Sequence, residues 1–487
     1  MSMQSGTGSG AGMAPAPNSA IGEAVVDEAV HGLGRIGARL VDVSGSSGGT
    51  IDARFETVSA LDNQARTLLN RVLKSPVAAS ASSETLAAQL IAATRDFFGI
   101  LLNAYERSVN SLTSDPSIIG RLARIQDCRL RLMRAGADRV IWELCSGGPA
   151  HPHVWSWLGT SFVASESGHG TGRVRAQMHW GGPGASLENE YLRAVAAYSA
   201  SLGLLPPRAS LVVGRVMAFA LPMLNFRSRP FAGATYYVCP REGAAPRRLV
   251  RPPNELDGGW FYSAGVAVGA LKELLENLIV GKAPLALAAG EDGEKVLRTV
   301  LEHLILHWSE TPPVRRFRRH MLDGTLSAVC GIDQLRELFS GRSSVAEVEW
   351  SLKDVSRGGL GAYICGESEP SVRVGQLVGV RANDCAAWHL AIVRRTWTGA
   401  GEYPFVGLET LSQRPVPARV DDGRASADVF LCDPILKGEA LRIAAGSNQL
   451  SSDLPLFITD GGRLQKLKPL RGLVEGEGFD LRVYQVL

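Results

Sequence analysis

The spacing of apolar residues predicts helices in the first part of the chain. From Arg54 onward, large apolar side chains recur at intervals of three and four residues, the spacing of one face of a helix. Three helices are predicted, beginning near Arg54, Leu86 and Ile118, and Ser114-Asp115-Pro116 is a start signal for the third. Residues 21–145 are therefore predicted to form a helical domain.

Composition changes on both sides of this helical domain. Residues 1–20 are mainly glycine, serine, alanine and proline with few large apolar groups, which predicts a disordered tail. Residues 146–185 are rich in glycine, serine, histidine and proline and are predicted to form a loop or linker. Residues 186–312 again show helical spacing, with Ser186 capping the first helix and two short strand-like runs. They are predicted to form a mixed, mostly helical domain.

Beyond Pro313 the helical spacing gives way to short strand-like runs. Such runs include Gly375–Val380, Trp388–Arg395 and Val406–Glu409, and others continue between 426 and 487. Short runs that alternate apolar and polar positions are typical of half-buried strands. The predicted fold class is therefore α+β and multidomain, with a largely α-helical N-terminal half and a β-rich C-terminal half.

Composition places the protein among ordinary globular proteins. Its 487 residues are 45% hydrophobic and 20% charged, a length that allows roughly two to four domains with real cores. The net charge of +3 is too small to indicate a nucleic-acid or membrane partner by itself. Seven cysteines are scattered without a C-x-x-C pair, and neither a signal peptide nor an apolar run of membrane-spanning length is found. These features predict a soluble cytoplasmic protein without a membrane span.

Two short polar motifs carry the candidate chemistry. Arg315-Arg316-Phe317-Arg318-Arg319 has the form R-x-x-x-R, and Asp354-Val355-Ser356-Arg357-Gly358-Gly359 has the form D-x-S-x-x-G. Guanidinium groups fork onto phosphate oxygens and stack on aromatic rings. An aspartate accepts hydrogen bonds from the N–H edge of a guanine, a serine hydroxyl donates to phosphate or backbone, and glycine lets the main chain approach a ligand closely. A purine nucleotide with more than one phosphate meets these demands together.

In this order the two motifs resemble those of the PilZ domain family, small β-barrels that bind the bacterial messenger cyclic di-GMP. The resemblance covers Pro313 to Val420, about a quarter of the chain, and the strand-like runs follow the rhythm of a PilZ barrel. It implies a PilZ-like antiparallel β-barrel over residues 313–425 and a short β-rich extension over residues 426–487. The ligand-binding residues that it implies are Arg315, Arg316, Arg318, Arg319, Asp354, Ser356, Arg357, Gly358 and Gly359.

The resemblance also implies a function. The protein would be a cytoplasmic cyclic di-GMP receptor in which arginines of the first motif hold phosphates and guanine, and Asp354 accepts from a guanine edge. It would catalyse no reaction and need no cofactor. It would relay the ligand to an unidentified protein partner in pili, motility, adhesion or biofilm formation. Helices before the barrel and β-structure after it resemble the architecture of multidomain PilZ-like proteins of Gram-negative bacteria.

One segment departs from a compact PilZ barrel. Residues 326–339, between the motifs, show a strand-like start and then a short helical pattern, where such a barrel has a plain strand pair. This insertion supports an alternative function, a PilZ-like adaptor that binds protein instead of nucleotide. A third hypothesis is nonspecific nucleic-acid binding through the arginine-rich turn. The motifs also have a plain structural interpretation, as a solvated basic cluster and a turn in which Asp354 and Ser356 satisfy local amides.

Other candidate constellations are weaker. His303 and His307 have the i, i+4 spacing of a paired metal site, but no H-E-x-x-H motif is present and a structural role is favoured. Four further histidines satisfy no metal-ligand spacing: His151, His153, His169 and His179. Five arginines share the third predicted helix, where a solvated surface with neighbouring acids is favoured over a basic face: Arg121, Arg124, Arg129, Arg131 and Arg134. Neither a G-x-S-x-G motif nor a phosphate loop occurs, which argues against a hydrolase and an NTPase.

Overall fold

The chain divides into two compact units, residues 1–313 and 314–487, in a computed structural model. The structure describes residues 17–45, 48–74, 84–114, 122–148, 150–166, 186–249, 258–282, 284, 287, 292–313, 317, 319–340, 345–365, 372–383, 385–397, 403–451 and 453–487. The first unit is mainly helical and the second consists of antiparallel β-barrels, so the α+β fold class predicted from the sequence is confirmed.

The helical unit is built on the apolar faces that the sequence predicts. Its helices are α1 (Pro17–Gly45), α2 (Ile51–Lys74), α3 (Glu84–Thr113), α4 (Leu122–Cys145), α5 (Pro152–Glu166), α6 (Leu187–Ser199), α7 (Pro207–Ala220), α8 (Gly265–Ile279) and α9 (Gly293–His307). In α3, for example, Leu90, Phe97 and Leu101 recur at helical spacing and are all buried. By length and composition α3 is the one helix among the described residues that could cross a membrane, but 44% of its most apolar window is buried inside the unit. That is weak evidence for a membrane span.

A small antiparallel sheet completes the helical unit. Its strands are β1 (Asn225–Arg227), β2 (Tyr236–Val238), β3 (Arg247–Arg248) and β4 (Trp260–Ser263), in the order β1-β4-β2-β3. Aromatic side chains cover it, since the rings of Phe226 and Trp260 stack with centroids 4.8 Å apart and Phe162 of α5 meets Trp260 edge-on. Helix α5 thereby joins the core of the unit.

Two boundaries of the helical region differ from those predicted. Helix α5 lies within residues 146–185, which the sequence predicted to be a loop or linker, and it is held by the buried residues Val154, Trp155 and Leu158. Helix α1 begins at Pro17, inside the predicted disordered tail, and residues 1–16 of that tail lie outside the described residues. In α5, apolar contacts within the unit outweigh a composition rich in small and polar residues.

A buried ionic network connects three helices of this unit. Asp138 on α4 accepts hydrogen bonds of 2.6 Å from Arg66 on α2 and from Arg193 on α6. Arg66 also donates to Asp62, and Arg193 to Glu190. Burial raises the pKa of Asp138, but the arginines outweigh burial and hold that pKa at about 2. The network therefore stays ionised at neutral pH inside an otherwise apolar core.

The second unit begins with a closed barrel of six strands. They are β5 (His320–Cys330), β6 (Val348–Ser356), β7 (Gly359–Ile364), β8 (Leu377–Ala382), β9 (His389–Trp397) and β10 (Phe405–Ser412), in the order β10-β7-β6-β5-β8-β9. Alternate residues fill the interior around the fully buried Trp350. A short helix, α10 (Ile332–Phe339), connects β5 and β6. The strand-then-helix pattern of residues 326–339 is thus present as the sequence predicts.

A second closed barrel follows. Its strands are β11 (Val416–Asp421), β12 (Ser426–Leu431), β13 (Ala440–Gly446), β14 (Leu456–Asp460), β15 (Arg463–Glu475) and β16 (Phe479–Val486), in the order β11-β12-β13-β16-β15-β14. The sequence predicted only a short extension from residue 426, but the barrel begins with β11. If the strands of each barrel are numbered one to six in chain order, both barrels have the order one-two-three-six-five-four.

The two barrels share an apolar interface. Helix α10 and outward residues of β8 and β9 pack against outward residues of the second barrel, including Phe430 and Leu481. The rings of Phe339 and Phe430 lie 5.3 Å apart, edge to face. Arg336 of α10 donates to the Asp428 carbonyl oxygen at 2.8 Å. The inserted segment between the motifs therefore fixes the second barrel to the first.

Candidate functional site

The fold brings the two predicted motifs together at one end of the β5–β6 pair. Arg319 immediately precedes β5, and Asp354 lies on β6 opposite Met321. Nη1 of Arg319 lies 2.8 Å from each carboxylate oxygen of Asp354 and donates its hydrogen bond to Oδ2. The other arginines of the first motif, Arg315, Arg316 and Arg318, lie outside the described residues.

Asp354 is buried and retains an unused acceptor. Its side chain is 11% exposed, and Oδ1 accepts no hydrogen bond within the part of the chain that the structure describes. A buried carboxylate oxygen without a donor costs stability, so such atoms mark positions where a function is expected. Because Oδ1 is shielded from solvent, a ligand can reach it only if a neighbouring group moves.

A β-bulge in β6 turns Asp354 toward the outside of the barrel. Leu352 pairs with Ala362 and faces the interior, whereas Asp354 pairs with Gly361, so Lys353 is the extra residue between them. Lys353 and Asp354 consequently lie on the same outer face. A regular strand would alternate these two side chains between the two faces.

The rest of the second motif forms a tight turn. The Ser356 hydroxyl donates to the Gly359 carbonyl oxygen at 3.1 Å, so the serine satisfies the local backbone. A β-carbon at position 359 would lie 2.0 Å from the Leu408 carbonyl oxygen of the neighbouring strand, so only glycine fits there. For Ser356 this supports the structural interpretation of the motif.

Phe317 connects the first motif to the second. Its ring lies against the turn, where a β-carbon at position 358 would come within 2.9 Å of Cδ2 of the ring. The Arg357 guanidinium stacks over the same ring, 5.7 Å from the centroid. Phe317 was not among the predicted site residues, although its position at the centre of the R-x-x-x-R motif was an available signal.

An aromatic and basic surface adjoins Asp354. Phe405 packs over Gly361, and the Lys353 ammonium lies 4.8 Å from the centroid of the Tyr363 ring and 5.5 Å from that of Phe405. The Arg395 guanidinium stacks over Phe405 at 5.3 Å. We call Lys353, Tyr363, Phe405 and Arg395 the aromatic platform. The aromatic platform was not predicted from the sequence because its residues are brought together only by strand pairing.

The other candidate constellations have structural explanations. Nε2 of His303 lies 2.7 Å from the Ala200 carbonyl oxygen, and burial lowers the pKa of its neighbour His307 to about 4. Among the described residues no group of three or more histidine, cysteine or acidic side chains is placed to hold a metal ion. His169 and His179 lie outside the described residues.

The arginines of the third predicted helix, α4, were expected to be matched by neighbouring acids, and two of them are. Arg124 forms ion pairs with Asp52 and Glu56 of α2, at 2.7 and 3.0 Å. Arg131 pairs with Asp127 at 3.2 Å. For Arg124 and Arg131 these pairings agree with the favoured interpretation of a solvated surface with neighbouring acids, whereas Arg134 is buried. Arg121 lies outside the described residues.

Comparisons with known proteins add one finding. A search of curated proteins finds no match. Residues 30–226, which make up 197 of the 487 residues and lie entirely in the helical unit, match the family model described as the N-terminal domain of the cyclic-di-GMP receptor FimW. The match was not foreseen from the helices themselves, whose role the sequence left open. The helical unit is therefore similar to the N-terminal domain of a cyclic-di-GMP receptor.

Proposed function

We propose that the protein is a cytoplasmic PilZ-type receptor that binds cyclic di-GMP at the Arg319–Asp354 site and catalyses no reaction. The observation that carries the proposal is the buried Asp354 carboxylate, which is ion-paired with Arg319 and whose Oδ1 accepts no hydrogen bond from the described residues. A guanine presents adjacent N–H donors that match such an acceptor. The similarity of the helical unit to a cyclic-di-GMP receptor domain supports the same ligand.

In the proposed complex the ligand takes over both partners of the existing ion pair. The Arg319 guanidinium leaves Asp354 and binds a phosphate or stacks on a base, together with Arg315, Arg316 and Arg318 of the same turn. Asp354 then accepts from the guanine edge. Exchanging partners keeps the carboxylate paired, which matters because a buried carboxylate without a partner is strongly unfavourable.

The glycines of the site let neighbouring side chains lie close to the backbone. Gly361 and Gly407 are direct cross-strand neighbours on β7 and β10. The ring of Phe405 lies over Gly361 and the side chain of Arg395 lies over Gly407, where a β-carbon would come within 2.7 and 2.6 Å of them. Gly358 and Gly359 complete the turn, and the Ser356 hydroxyl donates to the Gly359 carbonyl oxygen. In the proposed complex the role of Ser356 is to position this turn.

Calorimetric titration of the full-length protein with cyclic di-GMP tests the proposal, with GTP and cyclic di-AMP as competitor ligands. Saturable, guanine-specific binding is expected, and Arg319→Ala and Asp354→Ala should each weaken it by about a hundredfold, since each removes charged hydrogen bonds worth about 1.5–3 kcal/mol apiece. Arg373→Ala is a matched control, because Arg373 is also an ion-paired arginine on the first barrel. Absence of heat and of thermal stabilisation at high ligand concentration would exclude the receptor.

One observation favours the adaptor as a second candidate. Arg319 and Asp354 form an ion pair within the chain, so the two charges of the site match each other. A PilZ-like scaffold that recognises a protein would need no more than this. The same titration separates the two functions, because an adaptor shows no response to cyclic di-GMP. An adaptor also binds its protein partner equally well with and without Arg319.

Signal output is part of the proposal. Arg319 lies at the start of β5, so a ligand that draws its side chain from Asp354 changes the position of the arginine turn. Ligand binding shifts an equilibrium only through contacts that differ between states, and this side chain provides such a contact. We propose that the change is passed to a protein partner, in pili, motility, adhesion or biofilm formation. Capture of that partner by the full chain should depend on cyclic di-GMP and on Arg319.

A further inference from the structure

We infer that Lys353 is a further ligand-binding residue, which holds a phosphate of the nucleotide bound at Asp354. This inference rests on the proposed function and extends it to a residue outside both motifs. Lys353 directly precedes Asp354, and the bulge in β6 places both side chains on the outer face of the barrel. Two oppositely charged groups therefore stand side by side on one surface.

Lys353 is held in place by uncharged neighbours. Its Nζ donates to the Tyr363 hydroxyl at 2.5 Å and lies over the rings of Tyr363 and Phe405. An ammonium has three donors, and this arrangement uses one of them. The remaining donors and the positive charge are available to a ligand. The aromatic contacts already restrict the Lys353 side chain, so it loses less conformational entropy when a ligand binds.

Lys353 has no acidic partner among the described residues, where the neighbouring carboxylate, Asp354, is paired with Arg319 instead. A fixed cation without a carboxylate is suited to an external anion. Gly361 lets Phe405 of the aromatic platform lie beside Asp354, since a β-carbon there would lie 2.7 Å from Cζ of Phe405 and 3.1 Å from Oδ1 of Asp354. One ligand can thus place a base edge on Asp354 and a phosphate on Lys353.

Titration of Lys353→Met and Lys353→Arg with cyclic di-GMP at several salt concentrations tests this role. Lys353→Met keeps the apolar stem and removes the charge, so binding should weaken about tenfold or more, the effect of losing one charged hydrogen bond. Lys353→Arg should restore most of the affinity. Binding by Lys353→Met should also depend less steeply on salt. Lys466→Met, an exposed lysine of the second barrel, is the matched control.

The titrations test cyclic di-GMP binding and the phosphate role of Lys353 separately. If the wild-type protein fails to bind cyclic di-GMP, the proposed function is wrong. If it binds and Lys353→Met binds equally well with the same salt dependence, the phosphate role of Lys353 is wrong while the receptor stands. Retained affinity in Lys353→Arg excludes the explanation that the methionine variant merely distorts the barrel.

A second inference stands on the fold alone. We infer that the C-terminal barrel is a repeat of the first barrel. Its face equivalent to the Asp354 face packs against the first barrel. Both barrels have the same strand order. In the first, strands two, three and six carry the row Asp354–Gly361–Gly407 on their outer face. In the second, the outer face of strands two, three and six carries the row Phe430–Ala444–Leu481.

This second row is apolar and buried. Phe430 and Ala444 are 1% and 0% exposed, and both belong to the interface with the first barrel. The acid that follows strand two of this barrel, Asp433, is fully used, because Arg442 donates to both of its carboxylate oxygens at 2.6 and 2.9 Å. The face of the second barrel that corresponds to the Asp354 face is therefore closed by the interface with the first barrel.

Two measurements on the full chain test this inference. Phe430→Glu should lower the unfolding temperature of the C-terminal unit far more than Leu464→Glu, because Leu464 is 70% exposed on the same barrel. Equal effects would contradict the docking role, whether or not the protein binds a nucleotide.

Arg442→Ala should leave cyclic di-GMP binding within about twofold of wild type, a change of about 0.4 kcal/mol. A set of binding sites that survives in Asp354→Ala and disappears in Arg442→Ala would place a nucleotide on the second barrel.

Discussion

Position 359 shows how strongly one residue type is specified at the site. A β-carbon there would overlap a backbone carbonyl oxygen of β10, and a backbone atom cannot rotate away as a side chain can. By contrast, a β-carbon at Gly324 on β5 would meet no atom within 4 Å. The two glycines belong to one barrel, and their difference lies in the approach of the neighbouring strand.

Gly359→Ala should therefore destabilise the C-terminal unit by about 1–3 kcal/mol, the usual effect of forcing extra atoms into a packed region. Gly324→Ala is the matched control and should change stability by less than about 0.5 kcal/mol. Denaturant unfolding followed by circular dichroism measures both. Equal unfolding midpoints for the two variants would contradict the close approach of β10.

The residue scale also shows what the sequence could and could not predict. Arg319 and Asp354 were predicted because their motifs are short and contiguous, and the structure pairs them. Lys353 and Phe405 were not, because their contact depends on a bulge and on pairing between strands that are far apart in the chain. Local patterns reveal residue types, whereas a bulge is decided by which register buries the most apolar surface.

At the scale of elements, the buried ionic network decides how α2, α4 and α6 pack. Asp138 is shared by Arg66 and Arg193, and all three side chains are less than 10% exposed. Removing one member leaves a buried charge without its partner. Such a loss has a much larger effect than the loss of an exposed ion pair, for example Arg71 with Glu28.

Asp138→Ala should destabilise the helical unit by about 3–5 kcal/mol, the range for breaking a buried ion pair. Glu28→Ala, which removes an exposed pair, should change stability by less than about 1 kcal/mol. Thermal unfolding followed at 222 nm compares them. Similar losses in both variants would show that the network is not a buried, coupled unit.

The same carboxylate gives the helical unit a defined acid sensitivity. The folded-state pKa of Asp138 is about 2, below its ordinary value of 3.8, so its contribution is complete above pH 4 and is lost as the pH falls from about 4 to about 2. Wild-type stability should decline across this interval. The decline should be shallower in Asp138→Asn when unfolding is measured between pH 5 and pH 2, and equally steep profiles would assign the acid sensitivity to other groups.

Elements were predicted well where apolar spacing was long and regular. Helices α2, α3 and α4 match the predicted helices because each buries one continuous face. Helix α5 was missed although Val154, Leu158 and Phe162 have helical spacing, because flanking glycine, histidine and proline outweighed a short signal. The second barrel was missed because its closure depends on pairing between segments that are distant in the chain.

At the scale of the whole molecule, the chain combines two units with separate hydrophobic cores. The family match lies in the helical unit, whereas the proposed ligand site lies in the barrel unit. A ligand stabilises only the unit that it binds, in proportion to the logarithm of its concentration relative to Kd. Thermal unfolding can therefore assign cyclic di-GMP to one of the two units.

Cyclic di-GMP at a hundredfold excess over Kd should stabilise the barrel unit by about 2.7 kcal/mol. For a unit of this size that corresponds to a rise of about 5–10 °C in its unfolding temperature. Calorimetry should show this shift in the barrel transition and no shift in the helical transition, and Asp354→Ala should abolish it. A shift confined to the helical transition would move the binding site to the region matched by the receptor domain.

Strand β5 is paired unequally along its two edges. It pairs with β6 from His320 onward, but with β8 only from Leu326 to Cys330. Amide protons of the first half of the strand thus lack the second set of ladder hydrogen bonds, and this half can detach while the barrel stays closed. Arg319 directly precedes residues 320–325 of β5, so motion of Arg319 requires only local opening of these residues. The timescale of this opening is expected to be far shorter than that of global unfolding. Hydrogen–deuterium exchange would then record ligand arrival as slowed exchange in residues 320–325 ahead of any change in residues 326–330.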